Sequence, residues 1–244
     1  MRALAWAGAL AAAAPGLARG EAEDAYAARR VEMIRVIEEQ ARSWYSGPAR
    51  GALDARVLAA MGNVRRHLYV PERRRGSAYA DRPLPIGYGQ TISQPFIVAL
   101  MTDLLQLEPE HTVLEVGTGS GYQAAVLGML TRRVCSIEIV PELGQAAARR
   151  LQRLGHANVE TRIGDGYYGW PACGPFDGIV VTAAASQVPP PLIEQLKPGG
   201  RMVIPVGGPF VTQQLVLVQK RADGRVSTRQ LLPVRFVPLT RRRP

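Results

Sequence analysis

The chain has 244 residues, of which 47% are hydrophobic, so it is long enough for one α/β domain with a sizeable buried core and an appendage. Its formal net charge is +10, but the arginines that carry it are mostly scattered and no basic run is interleaved with aromatic residues, which argues against a specific nucleic-acid partner. Its two cysteines, Cys135 and Cys173, are too few for a disulfide framework and lack metal-ligand spacing, so we expect two free thiols and no metal site.

Residues 1–20 have the layout of a secretory signal peptide. A positive start at Arg2 precedes an apolar run over 3–14, and small residues follow at Gly16, Ala18 and Gly20. The run is too short to cross a bilayer, and no cysteine follows it for lipid attachment. We therefore predict a periplasmic or secreted protein without a membrane anchor. If the run is only an alanine-rich extension, or follows a start codon placed too early, the protein is cytoplasmic.

Helical patterns dominate the part of the chain that follows the leader. Apolar residues spaced through 21–45 predict an amphipathic helix that ends at Gly47-Pro48. A second helix is predicted over 54–61. Ser93 precedes a proline and an apolar stretch over 96–105, so its hydroxyl is predicted to cap a third helix.

From residue 111 onward, apolar strand-like runs alternate with helical stretches, which predicts βαβ units and a mostly parallel sheet. The predicted strands are 112–116, 134–139, 159–163, 177–182 and 201–206, and the helices between them are 121–130, 141–154 and 189–196. Two later runs, 214–220 and 226–236, flank Asp223-Gly224 and predict an antiparallel hairpin. The expected fold class is α/β and Rossmann-like, with a helical N-terminal extension.

Three glycines mark a ligand-binding turn between the first of these strands and its helix. Gly117, Gly119 and Gly121 let a ligand approach the backbone, where the following helix presents free amides. Their G-x-G-x-G spacing differs from the G-x-G-x-x-G that cradles a dinucleotide pyrophosphate. Glu138 ends the second strand, where a carboxylate can bind ribose hydroxyls, and Asp165 follows the third, where it can bind an adenine amine. Carboxylates at successive strand ends favour a nucleoside-type ligand.

Two motifs, in this order, resemble the protein-L-isoaspartate O-methyltransferase family. They read PIGYGQTISQP at residues 85–95 and VLEVGTGSGYQ at 113–123, and further likeness lies at 164–166, 176–184 and 235–239. The resemblance covers the chain from about residue 55 to 239. It implies the fold of S-adenosylmethionine-dependent methyltransferases, S-adenosyl-L-methionine as cofactor, and isoaspartyl-containing proteins and peptides as substrates.

The reaction implied by the resemblance is methyl esterification of the α-carboxylate of L-isoaspartyl residues, whose ester collapses to a succinimide that hydrolyses in part to normal aspartate. A carboxylate is already ionised near neutral pH, so no general base is required. Ser93 is the implied catalytic residue, although a helix cap alone would also explain it. The implied cofactor-binding residues are Gln90, Thr91, Ile92, Glu115, Gly117, Thr118, Gly119, Gly121, Glu138, Gly164, Asp165 and Gly166. The implied substrate-binding residues are Thr91, Ser93, Arg235 and Val237.

Two other functions stay open. One is a methyltransferase of the same fold that acts on RNA or a small molecule, although nucleic-acid amino methyltransferases often carry an Asn/Asp-Pro-Pro-aromatic motif where this chain reads TAAA, at 182–185. The other is a catalytically silent S-adenosylmethionine-binding protein, against which the intact glycines, acids and Ser93 argue. We expect a monomer. The predicted parts are a leader over residues 1–20, a helical extension over 21–50 and one methyltransferase domain over 51–244. Within that domain, 51–110 is the substrate-facing part and 111–244 is the cofactor-binding core.

Overall fold

The computed structural model describes residues 15–44, 52–208 and 211–241. Its helices are α1 (Pro15–Trp44), α2 (Ala55–Asn63), α3 (Pro95–Leu104), α4 (Tyr122–Gly128), α5 (Pro141–Arg153) and α6 (Pro190–Gln195). Its strands are β1 (Leu84–Gly87), β2 (Gln90–Ile92), β3 (Thr112–Val116), β4 (Arg133–Glu138), β5 (Val159–Ile163), β6 (Phe176–Val181), β7 (Leu196–Val206), β8 (Gln213–Lys220) and β9 (Val226–Val234). Short 3-10 helices cover Arg66–Tyr69, Glu72–Ser77 and Gly166–Tyr168. The predicted leader up to residue 14 and the predicted break at Gly47-Pro48 lie outside the described residues.

Seven strands form one sheet in the order β5-β4-β3-β6-β7-β8-β9. β3 pairs in parallel with both β4 and β6, β4 with β5, and β6 with β7, whereas β8 and β9 are antiparallel at the edge. The predicted α/β fold, with a mostly parallel sheet and a C-terminal hairpin, is confirmed. Because the chain continues to β4 on one side of β3 and to β6 on the other, a crevice opens at the carboxyl ends of these strands, where ligands of such folds bind.

The sheet is covered on both faces, and this burial positions the ligand crevice. All five residues of β3 are buried, as expected for a central parallel strand. Val113 packs into a cluster with residues of α1 to α4, and its neighbour Leu114 packs into a second cluster that includes Leu192 of α6. A shift of β3 by one residue would exchange its two faces, so packing fixes its register and the place of the loop that follows.

The N-terminal helix α1 packs on the rest of the chain. Met33, Ile37 and Ala41 are buried at a spacing of four residues, and α1 contacts both α2 and α3. The helix begins at Pro15, whereas the sequence pattern predicted a start at residue 21. None of the helices in the described part of the chain is long and apolar enough to cross a membrane.

Ser93 does not cap α3, so this part of the prediction is wrong. The N-cap residue is Gln94, whose side chain makes no capping bond, and the N–H of Phe96 donates to Oδ1 of Asp81 at 2.8 Å. The first turn thus takes its acceptor from a loop 15 residues earlier in the chain. A local sequence pattern cannot reveal such a partner.

The expectation of two free thiols is also wrong, because the structure pairs Cys135 with Cys173 in a disulfide. Cys135 lies on β4 and Cys173 in the loop before β6, with Cα atoms 6.6 Å apart. Both belong to the same buried cluster on one face of the sheet. The pairing depends on this loop folding over that face, which the 38-residue separation does not indicate.

Candidate functional site

Two adjoining cavities lie at the carboxyl ends of the parallel strands, and we call them the narrow and the wide cavity. The narrow cavity is lined by Gln90, Thr91, Val116, Gly117, Gly119, Glu138, Gly166 and Thr182, together with residues 237–240. The wide cavity, of about 450 Å³, is lined by Gln40, Thr91, Ser93, Gln94, Phe96, Thr182 and residues 232–237. Thr91, Thr182 and Val237 line both cavities and therefore mark the boundary between them.

The structure places every predicted substrate residue in the wide cavity and divides the predicted cofactor residues into two groups. Those in the lining of the narrow cavity are Gln90, Thr91, Gly117, Gly119, Glu138 and Gly166. The others lie behind or beside that lining: Ile92, Glu115, Thr118, Gly121, Gly164 and Asp165. The assignment of each residue to the cofactor stays a prediction.

The hairpin formed by β1 and β2, which the sequence pattern did not predict, carries residues at the boundary of the cavities. Its turn has positive φ angles at Gly87 and Gly89, of 102° and 70°, which glycine adopts at little cost. The pairing of Pro85 with Thr91 sets the register, and alternate side chains of a strand face opposite ways. Ile92 therefore packs into the core while Thr91 lines the cavities.

The glycine turn after β3 is held close to the strand end of β6. The N–H of Gly117 donates to the carbonyl of Ile137 at 2.8 Å, and the hydroxyl of Thr182 donates to the carbonyl of Gly117 at 2.7 Å. Gly117 has a φ of +98°, and a Cβ at this position would lie 2.4 Å from Oγ1 of Thr182. Both the backbone angle and the space therefore require glycine here.

Glu138, at the end of β4, organises the floor of the narrow cavity. Its Oε2 accepts from the N–H of Gly119 at 2.7 Å, and its Oε1 accepts from the N–H of Val140 at 2.9 Å. The two bonds fix the carboxylate between the glycine turn and the start of α5. An ionised carboxylate has about four acceptor sites, so each oxygen keeps capacity for a hydroxyl donor in the cavity.

Glu115 lies beneath the glycine turn and does not line the cavity. It is completely buried, and the hydroxyl of Ser136 donates to its carboxylate. The same hydroxyl lies 2.5 Å from Oγ1 of Thr118, so the three side chains form a buried chain from β3 through β4 to the turn. Burial raises the pKa of Glu115 to about 8, against which the Ser136 hydrogen bond acts. This geometry gives Glu115 and Thr118 a supporting position.

Asp165 shapes the turn beside the narrow cavity and contacts the C-terminal segment. Its Oδ1 accepts from the N–H of Tyr167 at 3.0 Å, and its Oδ2 lies 3.6 Å from Nε of Arg241. The Arg241 guanidinium also lies over the Tyr167 ring, 3.7 Å from its centroid. Gly166 approaches β3 so closely that a Cβ there would lie 2.4 Å from Cγ1 of Val116. The turn is thus packed directly against the end of β3.

The wide cavity brings together Ser93 and Arg235, which lie far apart in the chain. Ser93 follows β2, and its carbonyl accepts from Nη2 of Arg66 at 2.6 Å. Arg235 is exposed and follows β9. Two residues later, the carbonyl of Val237 accepts from the N–H of Ala184 at 2.8 Å. This bond fixes the C-terminal segment, which carries Arg235 and Val237, against the strand end of β6.

Sequence reasoning missed four polar residues that line the wide cavity: Gln40, Gln94, Thr182 and Thr212. Thr182 follows β6 directly, and its place at the same sheet edge as Gly117 and Glu138 could have indicated it. Gln40 comes from α1, and its side-chain amide donates to Asp81. Nothing in the local pattern of α1 distinguishes Gln40 from other polar residues of an amphipathic helix.

A family model described as "Protein-L-isoaspartate(D-aspartate) O-methyltransferase (PCMT)" matches residues 48–244. The chain belongs to this family. The match includes both cavity-lining motifs and the C-terminal segment, and it begins after α1.

Relatives within the PCMT family align over nearly the whole chain. Protein-L-isoaspartate O-methyltransferase 2 of Syntrophobacter fumaroxidans is 62% identical over 227 residues, which cover 93% of this chain and 92% of that protein. Protein-L-isoaspartate O-methyltransferase 1 of Cupriavidus necator is 61% identical over 89% of this chain and 84% of its own length. These alignments extend into the N-terminal helix, because shares this large cannot be reached from residue 48 onward alone.

Two solved structures with PCMT names share the fold. One, titled protein-L-isoaspartate O-methyltransferase, superposes with a TM-score of 0.73 at 29% identity, over 86% of this chain and 65% of that one. The other, a PCMT from Plasmodium falciparum in complex with S-adenosyl-L-homocysteine, gives a TM-score of 0.67 at 27% identity, over 78% of this chain and 92% of that one. The present chain therefore spans about two thirds of the first structure and nearly all of the second.

Proposed function

We propose that this chain is an S-adenosyl-L-methionine-dependent protein-L-isoaspartate O-methyltransferase that esterifies the α-carboxylate of L-isoaspartyl residues in damaged proteins and peptides. The ester then forms a succinimide, whose hydrolysis restores some normal aspartate. The observation that carries the proposal is the pair of adjoining cavities. One is lined by glycines and the Glu138 carboxylate, and the other by Ser93 and Arg235. Thr91, Thr182 and Val237 border both, so a donor in one can face an acceptor in the other.

The residues of the narrow cavity fit the cofactor of this family. Gly117 and Gly119 leave the backbone open to close approach, and Glu138 offers acceptor oxygens to ribose hydroxyls. Asp165, beside the cavity, is suited to the adenine amine. When bound, S-adenosyl-L-methionine supplies a methyl group attached to a positively charged sulfur. A carboxylate oxygen can attack the methyl carbon directly, and the sulfur leaves with the electron pair of the C–S bond.

The wide cavity suits an anionic peptide group. The Ser93 hydroxyl can donate to a carboxylate oxygen, and Arg235 provides a cation at the rim. Neither cavity has a histidine or lysine among the described residues that line it. This fits a reaction whose nucleophile is already ionised, so that catalysis consists of orienting the carboxylate and excluding water.

The test is methyl transfer from radiolabelled S-adenosyl-L-methionine to matched peptides that contain L-isoaspartate or normal aspartate at one position. We expect label only in the isoaspartyl peptide, with loss of the label as methanol as the succinimide forms. Ser93→Ala is the matched variant, and it should weaken use of the peptide without changing cofactor binding. Cofactor binding without transfer to either peptide would contradict the proposal and favour a silent binding protein or another substrate.

We also propose that the protein acts as a monomer outside the cytoplasm. The leader-like residues 1–20 support export, and so does the Cys135–Cys173 disulfide, because such bonds persist mainly in oxidising compartments. Cell fractionation with thiol alkylation tests the location, and light scattering tests the oligomeric state. A protein recovered in the cytoplasm with its leader intact and both thiols alkylated would contradict export.

A further inference from the structure

The N-terminal helix α1 supplies part of the wall of the wide cavity, although the match to the family model begins after this helix. Met33, Ile37 and Ala41 bury one face of α1 in the core. Gln40 lies beside that face, is half-buried and lines the wide cavity. No other residue of α1 belongs to the described lining. A substrate in this cavity therefore meets α1 at Gln40.

Asp81 fixes the side-chain amide of Gln40. The NH₂ group of Gln40 donates to Oδ2 of Asp81, and the NH₂ group of Gln94 donates to the same oxygen at 2.6 Å. The other oxygen, Oδ1, accepts from the N–H of Phe96 at 2.8 Å. An ionised carboxylate only accepts hydrogen bonds, so it determines which end of each amide faces it. The Gln40 amide is thus held next to that of Gln94, the residue after Ser93.

This orientation leaves the side-chain oxygen of Gln40 for another donor. Within the described chain, the only hydrogen bond of the Gln40 side chain is the one to Asp81. The oxygen is not among the buried atoms that lack a partner, so it is open to solvent. Burial lowers the pKa of Arg66, and the negative charge of Asp81 opposes this shift. The charge of Asp81 is thus balanced inside the protein, and Gln40 offers the cavity a neutral acceptor.

A polypeptide substrate carries the group that complements this acceptor. Each residue other than proline has one backbone N–H donor, and the chain continues on both sides of the isoaspartyl residue. An extended chain advances about 3.3 Å per residue, so a peptide whose carboxylate lies at Ser93 reaches the wall formed by Gln94 and Gln40 within about two residues. A backbone N–H is available there in nearly every sequence, which suits the repair of damage at many different sites.

We propose that Gln40 binds a backbone N–H of the substrate within about two residues of the isoaspartyl residue, and that Asp81 is the positioning residue that orients its amide. The inference rests on the proposed function, which it extends from the isoaspartyl carboxylate to the neighbouring peptide chain. It makes α1 a part of the substrate site. One hydrogen bond between neutral groups changes affinity about fivefold.

The test removes this hydrogen bond from each side. An L-isoaspartyl peptide is compared with analogues in which one backbone amide near the isoaspartyl residue, at each position in turn, is an ester, which lacks the N–H. In wild-type protein, the ester at one position should lower kcat/KM about fivefold. Gln40→Met keeps the length of the side chain without its amide. It should lower kcat/KM for the all-amide peptide about fivefold, with no further loss for that ester and no change in the KM for S-adenosyl-L-methionine.

Arg42→Met is the matched control, because Arg42 is an exposed residue of the same helix and does not belong to the described lining of the cavity. This variant should keep the kcat/KM of wild type for the all-amide peptide and the full loss for the ester. If Gln40→Met does not fold, Gln40→Ala takes its place with the same expected results.

A purely structural role of Gln40 would lower kcat/KM for every peptide by the same factor and leave the effect of the ester in place, and that result would overturn the inference. Wild-type protein that uses every ester analogue as well as the all-amide peptide would also overturn it, without any variant. Failure of the proposed function gives a different result, because wild-type protein would then not methylate the all-amide isoaspartyl peptide at all.

Discussion

Replacing Gly117 by alanine tests the geometry of the glycine turn. The new Cβ would lie 2.4 Å from Oγ1 of Thr182, and the residue would have to adopt a φ near +98°. We expect the backbone strain to cost about 1–3 kcal/mol. The Thr182 hydroxyl shares its one proton between the carbonyls of Gly117 and Val116, and displacing it from this bifurcated hydrogen bond adds about 1 kcal/mol. Gly117→Ala should therefore lower both the free energy of unfolding and the affinity for S-adenosyl-L-homocysteine.

A double-mutant cycle separates the two costs. Thr182→Ala removes the atom that the new Cβ meets, so adding Gly117→Ala to it should cost only the strain, and the two changes should couple favourably by about 1 kcal/mol. Gly155→Ala is the control, because Gly155 also has a positive φ, of +82°, but no atom within 4 Å of its Cβ position. That variant should lose stability without losing ligand affinity, and Thr182→Ala should not rescue it.

Urea denaturation gives the free energies of unfolding for this cycle, and titration calorimetry gives the dissociation constant of S-adenosyl-L-homocysteine. Equal costs of Gly117→Ala in the wild-type and Thr182→Ala backgrounds would refute the steric reasoning. A Gly155→Ala variant with the same loss of ligand affinity as Gly117→Ala would refute the assignment of the turn to the cofactor.

Three further changes have defined outcomes. In Glu138→Gln, the NH₂ group of the new side chain faces the amide N–H of either Gly119 or Val140, and one hydrogen bond is lost. In steady-state kinetics the KM for the cofactor should therefore rise about 10- to 100-fold, while the KM for the peptide is unchanged. Ser93→Ala should show the reverse split, a KM for peptide raised on the order of tenfold. For Glu115, burial raises the pKa from 4.5 to about 8, so unfolding releases a proton between these values. Urea denaturation of wild type and Glu115→Gln gives the difference between their free energies of unfolding. The advantage of wild type should be greatest below pH 4.5 and should fall, by at most about 5 kcal/mol, as the pH rises to 8. A difference that does not depend on pH would contradict this.

The central sheet could be predicted from the sequence because its signals are local. The predicted bounds of β3 and β5 are those observed, and β4 and β6 differ by one residue at each end. Buried parallel strands read as short continuous apolar runs, and Gly, Pro or Asp residues mark their ends. For the same reason, the sequence alone located Gly117 and Glu138 at strand ends and therefore in the ligand crevice.

The tertiary structure alone decided features that depend on partners distant in the chain. Asp81 replaces Ser93 as the acceptor for the first turn of α3, and Cys135 pairs with Cys173. The burial of Arg66 behind Ser93 follows from the same kind of contact. A sequence pattern reports the periodicity of neighbours, whereas these contacts depend on which loops meet after the sheet has formed. The sequence thus determined the fold and the positions of the predicted cofactor residues at strand ends, and packing decided which charges and hydroxyls meet in the wide cavity.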